Sequence, residues 1–153
     1  MRHAAAVQAE TGISDGHRSL TRAGRDSVRA VGRVLREASV AFDVLVTSPL
    51  VRAVQTAELL ADATDYLGEI ASHAAFTPGA HPRITLERLA VYPEARSIAI
   101  VGHEPCMSDL AAFIVAQPGF APFRQAQVCL FEDRKPVWKL HPEALQFQDL
   151  FIP

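Results

Sequence analysis

Only two of the 153 residues are cysteine, Cys106 and Cys129, too few for a disulfide framework and without the spacing of a metal pair. Neither sign of charge is in excess: the formal net charge of −2 gives no general attraction to nucleic acid or to an anionic membrane, so any anion site has to be built locally. No uninterrupted apolar run approaches a membrane span and the first residues lack a signal-peptide pattern, which makes the cytoplasm the expected compartment. There is no internal repeat, linker or low-complexity segment, and no Gly-Lys-Ser/Thr nucleotide loop. A cysteine phosphatase needs a cysteine and an arginine around one phosphate loop, and neither Cys106 nor Cys129 has that partner; an aspartate-based phosphatase needs closely spaced aspartates after a strand, and Asp43 stands alone. His17, His73, His81 and His141 show no metal-ligand spacing and read as surface or loop residues. What is present is 49% hydrophobic and 21% charged sequence, enough for one domain over 1–153 with its own core.

The chemistry-bearing residues fall at turns. Arg2-His3 pairs a nucleophile able to attack phosphorus with a cation able to neutralise phosphate oxygens. Turn formers Gly12, Ser14, Asp15 and Gly16 lead to Arg18, before a helix capped by Thr21 and running to about Glu37, with Val28, Val31 and Leu35 as its apolar stripe. The other arginines of that helix read as a solvated face. Phe42 to Thr47 is a buried-strand pattern followed by Ser48-Pro49 and a helix from Leu50 to about Asp62, so Arg52 sits in a first helical turn, where free N–H groups and the helix dipole favour anions. The pattern repeats at Ser97 to Val101, then Gly102-His103-Glu104-Pro105 and a helix to about Ala116. In an open parallel sheet two such turns face one pocket. Ala63 to Arg96 is read as a loop with a short helix from about Pro82 to Val91. Val128 to Phe131 and Pro136 to Leu140 form an antiparallel hairpin added to the sheet, and the tail Leu145 to Ile152 fits a helical or an extended reading. Cys106, near the expected pocket, reads as a packed thiol.

Arg2-His3-Ala4, Arg18-Ser19-Leu20-Thr21 to Gly24, Ser48-Pro49 to Arg52-Ala53 with Gln55-Thr56, and Gly102-His103-Glu104-Pro105 together resemble, in order and spacing, the histidine phosphatase superfamily, also called phosphoglycerate mutase-like. The small size and Thr77-Pro78-Gly79-Ala80 look most like its SixA-type phosphohistidine phosphatases, which lack an inserted cap. The resemblance implies a three-layer α/β/α domain with a mostly parallel sheet and the antiparallel C-terminal hairpin. It implies a metal-independent hydrolase with no cofactor. His3 would be the nucleophile that becomes phosphorylated, Arg2, Arg52 and His103 would hold the phosphate, and Arg18 would line the site. Many relatives use a carboxylic acid to protonate the leaving oxygen; the candidates are Glu104 and Asp15, although Glu104 also suits a helix N-terminus.

The expected substrate is phosphohistidine or another phosphorylated protein side chain, which would place the protein in signal transduction with a histidine phosphotransfer protein as partner. The alternatives are a phosphatase for small phosphate esters or sugar phosphates, and an inactive phosphate-binding regulator. No nucleic acid or membrane partner is expected. In the resembled family the Arg-His pair ends an interior strand preceded by several apolar residues, whereas here only Met1 precedes it, so the domain lacks most of its first strand and a start lying upstream is expected. Ser19 stands where that family usually has proline.

Overall fold

A three-stranded parallel sheet carries both strand-to-helix turns in a computed structural model that describes residues 1–9 and 14–150. Gly12, named above as a turn former, and Ile152 of the apolar tail lie outside the described residues. The sheet has β1 (Val44–Thr47) in the middle, β2 (Ile70–Ser72) on one side and β3 (Ile98–Val101) on the other. Leu45 pairs with Ala99 and Thr47 with Val101, so the two strands end level. Their following helices, α2 (Val51–Ala63) and α4 (Cys106–Ile114), therefore start side by side at the carboxyl edge.

Strand alternation sends neighbouring residues to opposite faces. Leu45, Ala99 and Val101 pack with Val28, Val31 and Leu35 of α1 (Arg22–Glu37) and with Ala53, Ala57 and Leu60 of α2. Ile100 faces the other way, onto Met107, Ala111 and Phe123, on the side of α4, which also contacts α3 (Pro82–Leu89). Thr21 caps α1 by accepting from the Gly24 N–H at 3.0 Å. Gly24 then lies so close to Ala5 that a Cβ would collide with the Ala5 carbonyl oxygen, and Gly32 meets Ala63 of α2 in the same way. These two glycines let α1 lie flat against the N-terminal segment and α2. Arg22, Arg29, Arg33 and Arg36 are exposed, as the solvated-face reading requires.

Three differences from the sequence reading concern the edges. The hairpin β4 (Val128–Glu132) and β5 (Lys135–Leu140) does not extend the parallel sheet; with β6 (Phe147–Asp149) it forms a separate antiparallel sheet of order β4-β5-β6. The tail is thus extended over Phe147–Asp149, where Phe147 packs edge-on against Trp138. β2 lies in the stretch read as a loop, because three residues at a sheet edge carry too little pattern to signal a strand. α4 begins at Cys106, with Pro105 preceding it.

The N-terminal residues span the gap between the sheets. His3 N–H donates to the Gly102 carbonyl at 2.9 Å and Gly102 N–H to the Met1 carbonyl at 3.1 Å, on the side of β3 away from β1. Arg2 N–H donates to Gln127 O at 3.1 Å and Ala126 N–H to His3 O at 3.3 Å, just ahead of β4. Beyond these residues an apolar groove of about 380 Å³ runs between β3 and β4, lined by Ile98, Ile100, Cys129 and Phe131 among others. No helix among the described residues is long and apolar enough to cross a membrane.

Candidate active site

His3 is pinned by main-chain bonds on both sides and by Ala4 N–H, which donates to Thr56 Oγ at 3.1 Å. Its Nδ1 lies 2.8 Å from the Ala4 carbonyl oxygen. A carbonyl only accepts, so Nδ1 carries the proton and Nε2 keeps its lone pair, the form a nucleophile needs. The residue is 8% exposed. Burial above all pushes its pKa down to about 4, against the Ala4 carbonyl, with Arg52, Arg2 and Arg18 pushing the same way as burial. At neutral pH the ring is uncharged.

The His103 ring, 2% exposed on the turn after β3, lies with its centroid 5.0 Å from that of His3. Among the described residues neither of its nitrogens has a hydrogen-bond partner. An unpartnered ring N–H at this depth is what an anion bridging the histidines would satisfy. Burial first, then His3 and Arg52, bring the His103 pKa down to about 3, with Asp15 opposing. It is therefore uncharged at neutral pH and offers one N–H.

Arg52 occupies the second residue of α2 and is 5% exposed. Its Nη1 donates to the Asp15 carbonyl at 2.7 Å and its Nη2 to Asp15 Oδ2 at 3.0 Å. Arg18 donates from Nη1 to Asp15 Oδ1 at 2.8 Å and from Nε to Val7 O at 2.6 Å. One carboxylate thus bridges both arginines. Arg2 turns its Nη1 to the Phe123 carbonyl at 2.8 Å, while its Nε is buried without a partner among the described residues. His3, Arg2, Arg18, Arg52 and His103 form one cationic basin, as the lowering of the His3 and His103 pKa values by these arginines records.

The two acid candidates fare differently from their sequence assignment. Glu104 accepts from Phe123 N–H at 3.1 Å through Oε1 and from Ser108 Oγ at 2.7 Å through Oε2, tying α4 to the Phe123 loop. Each of its oxygens thus carries a structural bond. Asp15 is held below the usual carboxylate range by Arg18 foremost and by Arg52, so it is an anion and not a proton donor at neutral pH.

Several residues that hold the site carried no assigned role in the sequence. Thr56 Oγ accepts from Ala4 and donates to the Arg52 carbonyl at 2.7 Å, linking the segment that carries His3 and the helix that carries Arg52 in one hydroxyl. Gln55 Oε1 accepts from Leu20 N–H at 2.8 Å, and Ser48 Oγ from Leu50 N–H at 3.3 Å. A fully buried threonine inside an apolar helix face was the available signal. Cys106 accepts from Gly79 N–H at 2.9 Å and holds the Thr77 to Ala80 stretch on α4. His73 and His81 are exposed residues whose Nδ1 atoms cap short helices, His17 bonds to Ser14, and His141 is half-buried.

Comparison with known proteins places this arrangement. The profile of the histidine phosphatase superfamily (branch 1) matches residues 1–76. An uncharacterized protein of Picosynechococcus sp. is 34% identical over 120 residues, covering 74% of this chain and 69% of the relative. Among solved structures, the protein histidine phosphatase SixA complexed with tungstate superposes with a TM-score of 0.85 over 95% of this chain and 97% of that one, at 24% identity. A protein from Nakamurella multipartitia proposed to be a phosphohistidine phosphatase SixA is 31% identical, with a TM-score of 0.64 over 75% of this chain and 63% of its own.

Proposed function

Because the chain belongs to the histidine phosphatase superfamily, we propose that it hydrolyses phosphohistidine through a phosphoryl group carried on His3, with side chains alone neutralising the phosphate. The observation that carries this reading is the pairing of a neutral, tautomerically fixed His3 with the absence of any free carboxylic acid among the described residues of the site. An ester needs a proton on its leaving oxygen. A phosphohistidine whose other ring nitrogen is protonated does not: when His3 Nε2 bonds to phosphorus, the breaking P–N pair returns to the departing ring, which leaves as neutral imidazole.

The second step is balanced in the same way. Phosphorylated on Nε2 and protonated on Nδ1, His3 is itself an imidazolium, stabilised by the Ala4 carbonyl. Water attacks phosphorus, the P–N pair returns to His3, and the water's protons remain with the phosphate. Arg52, Arg2, Arg18 and His103 hold the equatorial oxygens in both steps, where charge develops in a water-poor setting. Donor and acceptor are the same chemical group, so the transfer is close to thermoneutral.

The test is a rapid, acid-free quench of the protein mixed with a phosphohistidine protein, followed by peptide mass spectrometry. The expected result is a phosphoryl group on His3, absent in His3→Ala, that turns over to free phosphate. Phosphate release with no label at His3, or label retained in the alanine variant, refutes the mechanism; binding without release leaves a phosphate-binding regulator.

A further inference from the structure

The geometry points to Asp15 as the residue that selects the phosphoryl donor: its fixed carboxylate at the mouth of the basin favours a donor whose ring is cationic until the P–N bond breaks, and disfavours phosphate esters. This rests on the phosphohistidine reading above and deepens it.

The argument starts from depth. His103, His3 and Arg52 form the floor, all nearly inaccessible, whereas Asp15 is 58% exposed at the side chain. A phosphoryl group attacked by His3 in line must expel its leaving group away from the floor, toward the solvent side on which Asp15 lies. Asp15 is not a floating surface acid. Its main-chain carbonyl accepts from Arg52 Nη1, and its two carboxylate oxygens take one arginine each, at 2.8 and 3.0 Å. The three-residue 3₁₀ turn Asp15–His17 closes the loop behind it. The position of the negative charge is therefore set by α2, the helix that carries Arg52.

A carboxylate is an odd neighbour for a phosphate, since it competes for the same guanidinium forks and repels the anion. Each Asp15 oxygen has accepting capacity beyond its one arginine bond. Toward the protonated ring of a phosphohistidine, which keeps positive charge until the P–N bond has broken, that capacity is attractive. Toward an alkoxide or phenolate forming in the same place it is repulsive, and no group there among the described residues supplies the missing proton. The carboxylate thus discriminates by penalising the wrong donor as well as by receiving the right one. A purely structural ion pair, which only orients Arg18 and Arg52, would support both donor classes equally.

The two roles separate by comparing kcat/KM for a phosphohistidine peptide and for an aryl phosphate in the wild type, Asp15→Asn and Asp15→Glu. Asp15→Asn is expected to lower the phosphohistidine value about tenfold and to raise the aryl phosphate value several-fold through a lower KM, since the arginine forks are freed. Asp15→Glu is expected to keep most of the phosphohistidine preference. A fall of both substrates in parallel, or no change in their ratio, overturns the proposal and leaves Asp15 a positioning residue. If the wild type turns over the aryl phosphate and not the phosphohistidine, the functional reading fails and the proposal falls with it, since the intact Asp15 then does not select against esters. Thermal melts of both variants exclude misfolding as the cause of any loss.

Discussion

Acidifying the protein from pH 7 to pH 4.5 should unfold it by way of two histidines. His3 and His103 have folded-state pKa values of about 4 and about 3, against 6.5 in an unfolded chain. Above 6.5 both states leave the rings neutral and the histidines cost nothing. Below 6.5 the unfolded chain takes up protons that the folded protein refuses, so stability falls as pH falls, until the folded-state pKa is reached. Each ring contributes about 1.4 kcal/mol per pH unit over this range, hence roughly 3 kcal/mol at pH 4.5, and the pair up to about 5 kcal/mol. That is comparable to the whole stability of a small domain. The Met1 amino group, lowered to about 6 by burial, and His141, also lowered by burial, add slope of the same sign that the double variant below retains, whereas the carboxylates with depressed values, Asp15 and Asp43, lose their contribution only below about 4. Urea melts followed by circular dichroism at half-unit pH steps give the curve for the wild type and for a His3→Gln, His103→Asn double variant. The double variant should lose most of the slope between pH 6.5 and 4.5. Parallel curves agreeing within about 1 kcal/mol would show that the rings titrate freely, and with them the argument for a neutral nucleophile would fall.

Arg52→Lys keeps the charge but loses the fork, and should lower kcat/KM by about 10²-fold in steady-state assays, because a buried bidentate donor is replaced by a point charge. Thr56→Val should cost about 1–3 kcal/mol in denaturant melts by stranding the buried Ala4 N–H, and should lower activity further than stability explains, because the same hydroxyl registers His3 against Arg52. Gly24→Ala, an innocuous change in most helices, should destabilise by about 2 kcal/mol or more in thermal melts, since the added methyl meets the Ala5 carbonyl; a neutral outcome would mean that α1 is free to shift.

Much of this protein could be read along the chain because its signals are local. The apolar runs before Ser48 and Gly102, the Thr21 cap and the stripe Val28, Val31, Leu35 define α1, β1 and β3 to within a residue or two. The placement of Arg52 and His103 on matched turns follows from that alone, since parallel strands of equal register deliver their turns to one edge. What the sequence could not determine depends on partners far away in the chain. Whether the 128–140 hairpin joins the parallel sheet is decided by the N-terminal residues bonding to Gln127 and Gly102 at once, and no periodicity encodes that. Glu104 reads as an acid candidate until Phe123 and Ser108 take its two oxygens. Asp15 reads as a proton donor until Arg18 and Arg52 close on it and fix it as an anion. The protonation state of His3 is likewise a property of burial and of the Ala4 carbonyl. Residue type supplies the groups capable of phosphoryl chemistry, but pKa and hydrogen-bond occupancy are set by desolvation and by neighbours in space, and only the folded chain specifies those.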